Sequence, residues 1–251
     1  MSNIIINEQY ENSKFYFDSG KGDKICINKK KLFDLSNCSG VLLFGHNSSI
    51  FRKTLNDFKK KNLTIFSHPN IYAKKLAEKV KYFFPHIHKL IFCNSGTESV
   101  IKSLRICRAL NKKKIIVSVT GSWHGSVDQT LYLSDKKFAP IPLSSGLKKD
   151  DQKNLKFIPY NDIKTSKKIL DKYKNDINSL IIEPVMGSLP VKNCKEYLKF
   201  LENYCKEKKI ILIFDEIVSG FRFKNGSVQN QFNIKPDITL LGKVLGGGFP
   251  I

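Results

Sequence analysis

The sequence is short of arginine, has one tryptophan and two methionines, and carries half as many acidic as basic residues. It also lacks the glycine signatures of the common nucleotide-binding folds. No G-x-x-x-x-G-K-[ST] occurs: the pairs Gly20-Lys21 and Gly242-Lys243 have neither the upstream glycine nor the following hydroxyl. With G-x-G-x-x-G missing as well, neither a phosphate-loop NTPase nor a dinucleotide binder is expected. The cysteines Cys26, Cys38, Cys93, Cys107, Cys194 and Cys205 form no C-x-x-C pair and have no histidine pattern suited to zinc. A disulfide scaffold and a zinc module are thereby disfavoured, and free thiols in a reducing cytoplasm are expected. Long apolar runs are missing too. The patch Ile4-Ile5-Ile6 has no basic stretch before it and leads straight into Asn7 and Glu8, so neither export nor a membrane span is expected.

What is present is a chain of 251 residues, 41% hydrophobic, long enough for one large α/β domain or two small ones. Its charge is +21, from 43 Lys+Arg against 22 Asp+Glu. That balance invites a nucleic-acid reading. Yet Arg52, Arg105, Arg108 and Arg222 are the only arginines, which leaves 39 lysines in a chain also rich in Asn and Ile. Those are residues of A/T-rich codons, and such a bias puts solvated lysines on every exposed face. A nucleic-acid surface draws on Arg for bidentate contacts. No nucleic-acid partner is expected; the competing reading rests on charge alone and predicts affinity that falls steeply with salt.

From Phe15 to Leu35 apolar and polar residues alternate around the turn signals Ser19–Asp23 and Asn28–Lys30, which predicts a small antiparallel β element. A helix is expected after the caps Asn47-Ser48-Ser49, and a second from Ile71 to Phe84, before Pro85. A βαβ rhythm follows: strand Lys89–Cys93, helix Glu98–Leu110, strand Lys114–Val119, a long irregular stretch from Thr120 to Pro159, helix Ile163–Lys174, strand Ser179–Glu183, helix Cys194–Lys208, strand Ile210–Phe214 and a short strand Asp237–Leu241. Runs such as Ile210-Ile211-Leu212-Ile213-Phe214 are what strands buried on both faces of a parallel sheet look like. The loop from Ser134 to Asp151 reads equally as a lid or a surface insertion.

Ligands of parallel sheets bind beyond the carboxyl ends of the strands, so the residues after each run carry the information. Asn94-Ser95-Gly96-Thr97-Glu98 opens a helix, either as an anion seat or as an ordinary N-cap. Gly121-Ser122-Trp123-His124-Gly125 places the single tryptophan at a strand end, as a ring-stacking platform or a core plug. His124 is open between a structural hydrogen bond and catalysis. The strand ending in Asp215-Glu216 offers a buried acid. Gly242-Lys243-Val244-Leu245-Gly246-Gly247-Gly248 holds a lysine in apolar, glycine-rich surroundings that favour a neutral, nucleophilic amine. One cofactor uses a phosphate seat, a stacking ring, an acid and a lysine together: pyridoxal 5′-phosphate.

In this order and spacing the motifs resemble the class III aminotransferases of pyridoxal-phosphate fold type I, and within them the aminomutase branch. They are Phe44-Gly45-His46, Asn94–Glu98, Trp123-His124-Gly125, Ile182-Glu183-Pro184-Val185, Phe214-Asp215-Glu216 leading into Gly220-Phe221-Arg222, and Pro236-Asp237 leading into Leu241–Gly248. The resemblance implies an α/β fold: a mostly parallel sheet with flanking helices and a small N-terminal β/helix appendage. Residues 1–60 would be the N-terminal segment of a small domain, and 61–251 the cofactor-binding large domain, incomplete at its C-terminal end.

The resemblance also implies roles. Lys243 would be the Schiff-base lysine and proton carrier, Asp215 the partner of the pyridine nitrogen, and Ser95, Gly96 and Thr97 the phosphate-binding turn. Trp123 and Ile217 would cover the two faces of the ring, and Glu183 and Glu216 would belong to the site framework. Trp123 stands where the family commonly has Tyr, Ser188 where the aminomutases have an Asn near the phenolic oxygen, and Cys38-Ser39-Gly40 where they have Ser-Trp-Gly. Family members continue past the lysine into a C-terminal small domain and form homodimers with shared sites; this chain stops eight residues after Lys243. The expected protein is a cytoplasmic enzyme acting on a small-molecule amino substrate. The alternatives are an ω-amino or amino-sugar aminotransferase and a catalytically inactive truncated form.

Overall fold

The computed structural model describes residues 16–63, 68–191 and 193–251, so the Ile4–Ile6 patch and Phe15 lie outside the described residues. The chain divides into two units, Met1–Ile65 and Phe66–Ile251. The first contains the expected antiparallel element: β1 (Ser19–Lys21), β2 (Lys24–Ile27) and β3 (Lys30–Phe33), in that order across the sheet. Between β2 and β3 the chain reverses at Asn28 and Lys29, both with positive φ, a two-residue hairpin turn whose twist matches its strands. A left-handed turn follows at Asn37–Gly40 (α1), and then the helix Ser49–Lys60 (α2), capped by the Ser48 hydroxyl, which accepts the Phe51 N–H at 3.2 Å.

The second unit is a parallel α/β sheet. Helix Ile71–Phe83 (α3) starts where the Asn70 side chain accepts two backbone N–H groups, and Gly96–Leu110 (α4) starts at Ser95. The strands are β4 (Ile115–Val119), β7 (Leu155–Ile158), β8 (Ile177–Ile182), β9 (Ile211–Asp215) and β10 (Ile238–Leu240), ordered β10-β9-β8-β4-β7, with every neighbouring pair parallel. Parallel neighbours need crossover connections. Those connections are supplied in part by Ile163–Tyr173 (α6), Lys195–Lys208 (α7) and the short Val228–Phe232 (α8).

Successive strand residues point to opposite faces, and each face has its own core. Ile115, Val117 and Val119, with Leu180, Ile182, Leu212 and Phe214, pack with Leu170 of α6 and Leu198 and Leu201 of α7. Ile116, Ile181 and Ile213 pack with Val100, Leu104 and Cys107 of α4. Burying each such side chain contributes roughly 1.5–3 kcal/mol. The result is a sheet covered by helices on both faces, the arrangement expected of the sequence.

Two elements differ from expectation. The stretch from Thr120 to Pro159 is not irregular: it forms the hairpin β5 (Tyr132–Ser134) and β6 (Pro140–Pro142), helix α5 (Lys149–Asn154) and the edge strand β7. The 134–151 loop is tied down, with the Tyr132 hydroxyl donating to the Lys148 carbonyl and the Gln152 amide to the Pro140 carbonyl. Conversely, Lys89–Cys93 is not a strand. A strand needs a partner edge, and this segment is separated from β10, the last strand of the sheet, by an apolar groove of about 510 Å³ lined by Leu90, Phe92, Ile238 and Leu240.

Candidate active site

The carboxyl ends of β4, β8, β9 and β10 all point to one edge of the sheet, and the N-terminus of α4 lies at the same edge. Asp215 ends β9 and is 3% exposed. Its Oδ2 lies 2.7 Å from Nδ1 of His124, which is itself 2% exposed, and its Oδ1 accepts the Ile217 N–H at 3.2 Å. Because a carboxylate only accepts, His124 carries its proton on Nδ1 in this pair. Its Nε2 is buried and meets no partner among the described residues.

Glu183 follows β8 and clamps the neighbouring turn. Its Oε1 accepts the Trp123 N–H at 2.8 Å and its Oε2 the Gly187 N–H at 3.0 Å. Burial pushes its carboxyl above the usual range and the nearby Asp215 charge adds to this, while the two N–H groups pull it back. Adjacent residues of one turn, Trp123 and His124, are thus held by carboxylates from two different strands. The Trp123 side chain itself is half exposed.

Glu216 is fully buried and accepts from the Ser219 hydroxyl, the Val228 and Gln229 N–H groups and the Gln229 amide. The same amide reaches Thr239 Oγ1 on β10 at 3.1 Å. Burial raises the Glu216 carboxyl and its four donors oppose the shift. This network fastens the loop after β9 to β10 and leaves Asp215 fixed beside it.

At α4 the Ser95 hydroxyl accepts the Glu98 N–H at 3.1 Å, while Glu98 reaches back to the Asn94 N–H at 2.8 Å, a variant of the capping box. The Gly96 and Thr97 N–H groups belong to the first turn, which has no acceptor within its own helix. Close approaches link this turn to the rest. A Cβ on Gly96 would stand 2.7 Å from Cδ1 of Ile217, and one on Gly242 would stand 3.3 Å from Cγ2 of the same residue. A Cβ on Gly125 would stand 2.4 Å from Oγ1 of Thr97, which also accepts the Ser126 N–H. Lys243, next to Gly242, adopts φ 46°, a left-handed conformation unusual for a lysine and of the kind concentrated at functional sites.

Of the residues singled out from sequence, Ser95, Gly96, Thr97, Trp123, Asp215, Ile217 and Lys243 therefore occupy one edge and are joined through shared neighbours. Ser188 is different: it is exposed on the loop after β8, and none of the contacts just described reaches it. Two contributors were not assigned from sequence, the His124 partnership with Asp215 and the Gly125 cradle for Thr97. The only signal for either was their place between glycines at a strand end. The buried Asp215 held by His124, the unpartnered Nε2 and the glycine cradles at the helix start suit a flat ring bearing an anionic arm.

A mostly parallel sheet with helices on both faces, and this set of groups at its strand ends, define a fold-type-I transferase architecture. The sequence model of the family Aminotransferase class-III matches residues 5–251, and the chain belongs to that family. Among curated proteins it is 36% identical to glutamate-1-semialdehyde 2,1-aminomutase of Methanosphaera stadtmanae, over 96% of this chain and 57% of that protein. It is 34% identical to the enzyme of the same name from Methanosarcina acetivorans, over 94% and 57%. Among solved structures, an omega-transaminase from Sphaerobacter thermophilus superposes with TM-score 0.86 at 25% identity, over 94% of this chain and 56% of that one. A glutamate-1-semialdehyde aminomutase from Pseudomonas aeruginosa shares the fold with TM-score 0.79 at 18% identity, over 94% and 52%. The chain spans a little over half the length of the relatives it matches.

Proposed function

We propose that this chain is the cofactor-binding part of a pyridoxal-phosphate-dependent aminomutase acting like glutamate-1-semialdehyde 2,1-aminomutase, which rearranges glutamate 1-semialdehyde to 5-aminolevulinate. The observation that carries the reading is the convergence of Asp215, Trp123, the α4 N-terminus and Lys243 at one sheet edge. The run of similarly named relatives at 31–36% identity supports the substrate.

When bound, pyridoxal phosphate supplies an electron sink conjugated to the substrate carbon. The protein's part is to hold and to move protons. Gly96 and Thr97 at the start of α4 bind the phosphate through backbone N–H groups, with Ser95 shaping the turn. Asp215 would keep a proton on the ring nitrogen, Trp123 would cover one face of the ring and Ile217 the other, and Ser188 would serve the phenolic oxygen. Lys243 would be the covalent anchor, and its amine would carry the proton at the reacting substrate carbon. Residues 1–60 belong to the small domain of the whole enzyme and 61–251 to the large one. The assembly is a cytoplasmic homodimer.

One other reading has specific support. The structural likeness to an omega-transaminase favours an ω-amino donor. Incubating the cofactor-loaded chain with glutamate 1-semialdehyde and measuring 5-aminolevulinate separates them. Product that disappears in Lys243→Ala supports the aminomutase. Transfer from ω-amino donors alone supports the alternative, and attachment without any turnover contradicts both.

A further inference from the structure

We propose that a hollow at the amino ends of β4 and β7 binds small polyphosphates, through the diphosphate or triphosphate group of a free anion or a nucleotide. The two strands are parallel neighbours and begin at the same edge of the sheet, whereas the candidate active site occupies the edge where the strands end. The proposal therefore stands apart from the cofactor reading. The hollow has a volume of about 250 Å³, and four cations line it. Arg108 comes from the last turn of α4, and Lys112, Lys113 and Lys114 from the connection into β4. Asp151 of α5 is the one acidic residue among the described residues that line it. Among the described residues, none of the four cationic heads makes a hydrogen bond or an ion pair. Like charges gathered in a concave site repel one another, and solvent screens them less there than on a convex face. A diphosphate or triphosphate group supplies the missing negative charge; a monocarboxylate leaves most of it unmatched.

The abundance of lysine does not account for this arrangement. It scatters lysines over exposed faces, but Arg108 is one of only four arginines, and the guanidinium fork matches phosphate oxygens in pairs. A cation in the last turn of α4 also suits the helix dipole. That helix end, however, already has its donors: the Asn111 N–H and the Asn178 amide both reach the Cys107 carbonyl, at 3.2 and 3.0 Å. The same amide donates to Oδ1 of Asn111 at 2.6 Å, and the Lys113 N–H donates to that oxygen at 3.1 Å. Asn178, buried on β8, thus pins the backbone that carries the three lysines. The cations are presented from a fixed turn, and Gln129 and Asn154 add amide donors to the wall.

The test is calorimetric titration of the full chain with inorganic pyrophosphate and, separately, with ATP, at one fixed ionic strength. Saturable binding is expected, weakened about tenfold or more in Lys112→Gln/Lys114→Gln and in Arg108→Gln. Lys59→Gln/Lys60→Gln removes the same charge from exposed lysines of α2 and should leave the affinity at the parent value. Asp151→Asn removes the opposing carboxylate and should tighten binding about threefold, the scale of one exposed charge at this range. Equal affinity for pyrophosphate and ATP would place recognition in the phosphates alone, and tighter binding of ATP would extend it to the nucleoside; either bears the proposal out. No saturable binding would overturn it. So would pyrophosphate binding that survives the Arg108 and Lys112/Lys114 substitutions, the result expected of an anion held at the start of α4. Equal loss in the α2 variant would show a diffuse charge effect and overturn it too. A short single-stranded oligonucleotide that displaces pyrophosphate and binds more tightly than ATP would replace the small ligand by a nucleic acid.

Discussion

Gly96 and Ile217 stand so close that a single added methyl on the glycine would come within 2.7 Å of the isoleucine's Cδ1. The contact joins the start of α4 to the residue proposed to cover one face of the ring. Gly96→Ala forces Ile217 to move at the end of its side chain, a small adjustment set against the better helix propensity of Ala. Unfolding free energy should therefore change by less than about 1 kcal/mol by this balance, while cofactor affinity falls. Denaturant titration beside a cofactor titration separates the two effects.

Gly125 has less room. Its φ is 74°, and an added Cβ would stand 2.4 Å from the Thr97 hydroxyl, whereas Gly146, with φ 90°, faces open space. Both alanine variants bear the left-handed penalty of roughly 1–2 kcal/mol. Only Gly125→Ala adds a collision in the middle of the site, so its unfolding midpoint in urea should drop well below that of Gly146→Ala. Equal midpoints would mean that Thr97 is free to swing away.

Trp123 is the only tryptophan, so intrinsic fluorescence reports this one position. Pyridoxal phosphate is expected to quench it on binding. In Glu183→Gln one of the two clamped N–H groups, of Trp123 or Gly187, faces an amide donor in place of a carboxylate oxygen. The cost is about 1–3 kcal/mol for an unmet buried donor, and both the emission maximum and the extent of quenching should change.

Acid sensitivity of the N-terminal unit is set at Asp34. A hydrogen bond from His46 at 2.7 Å, ahead of opposing burial and further bonds from Ser36 and Asn37, pulls its carboxyl down to about 2 from 3.8. An acid with a lowered pKa in the folded state stabilises it above the unfolded value and loses that contribution as pH falls through the folded one. Between pH 4 and 2 the parent should therefore lose stability faster than Asp34→Asn, as followed by circular dichroism. Parallel curves would show that the pair contributes nothing.

Much of the architecture was legible because it depends on local pattern. The apolar runs of β4, β8 and β9 and the caps Ser48 and Ser95 are written in a few consecutive residues. What escaped depends on distant neighbours. Leu155–Ile158 is four residues long with Lys156 in its midst, and only pairing with β4 makes it a strand. Lys89–Cys93 has the composition of a strand, yet pairing is a property of the edge opposite, and the groove beside β10 keeps the two apart. At the site, Asp215 and Lys243 were visible as strand-end chemistry. The His124–Asp215 and Glu183–Trp123 bonds were not, because they join residues 91 and 60 positions apart.

The central claim is that this chain builds a pyridoxal-phosphate site whose covalent anchor is Lys243. The most direct measurement is to titrate the purified protein with the cofactor, reduce with borohydride, digest, and locate the modified peptide by mass spectrometry. With 39 lysines available, chance labelling would scatter over the surface. The account predicts stoichiometric label on Lys243. Label spread among surface lysines, or none at all, would contradict it.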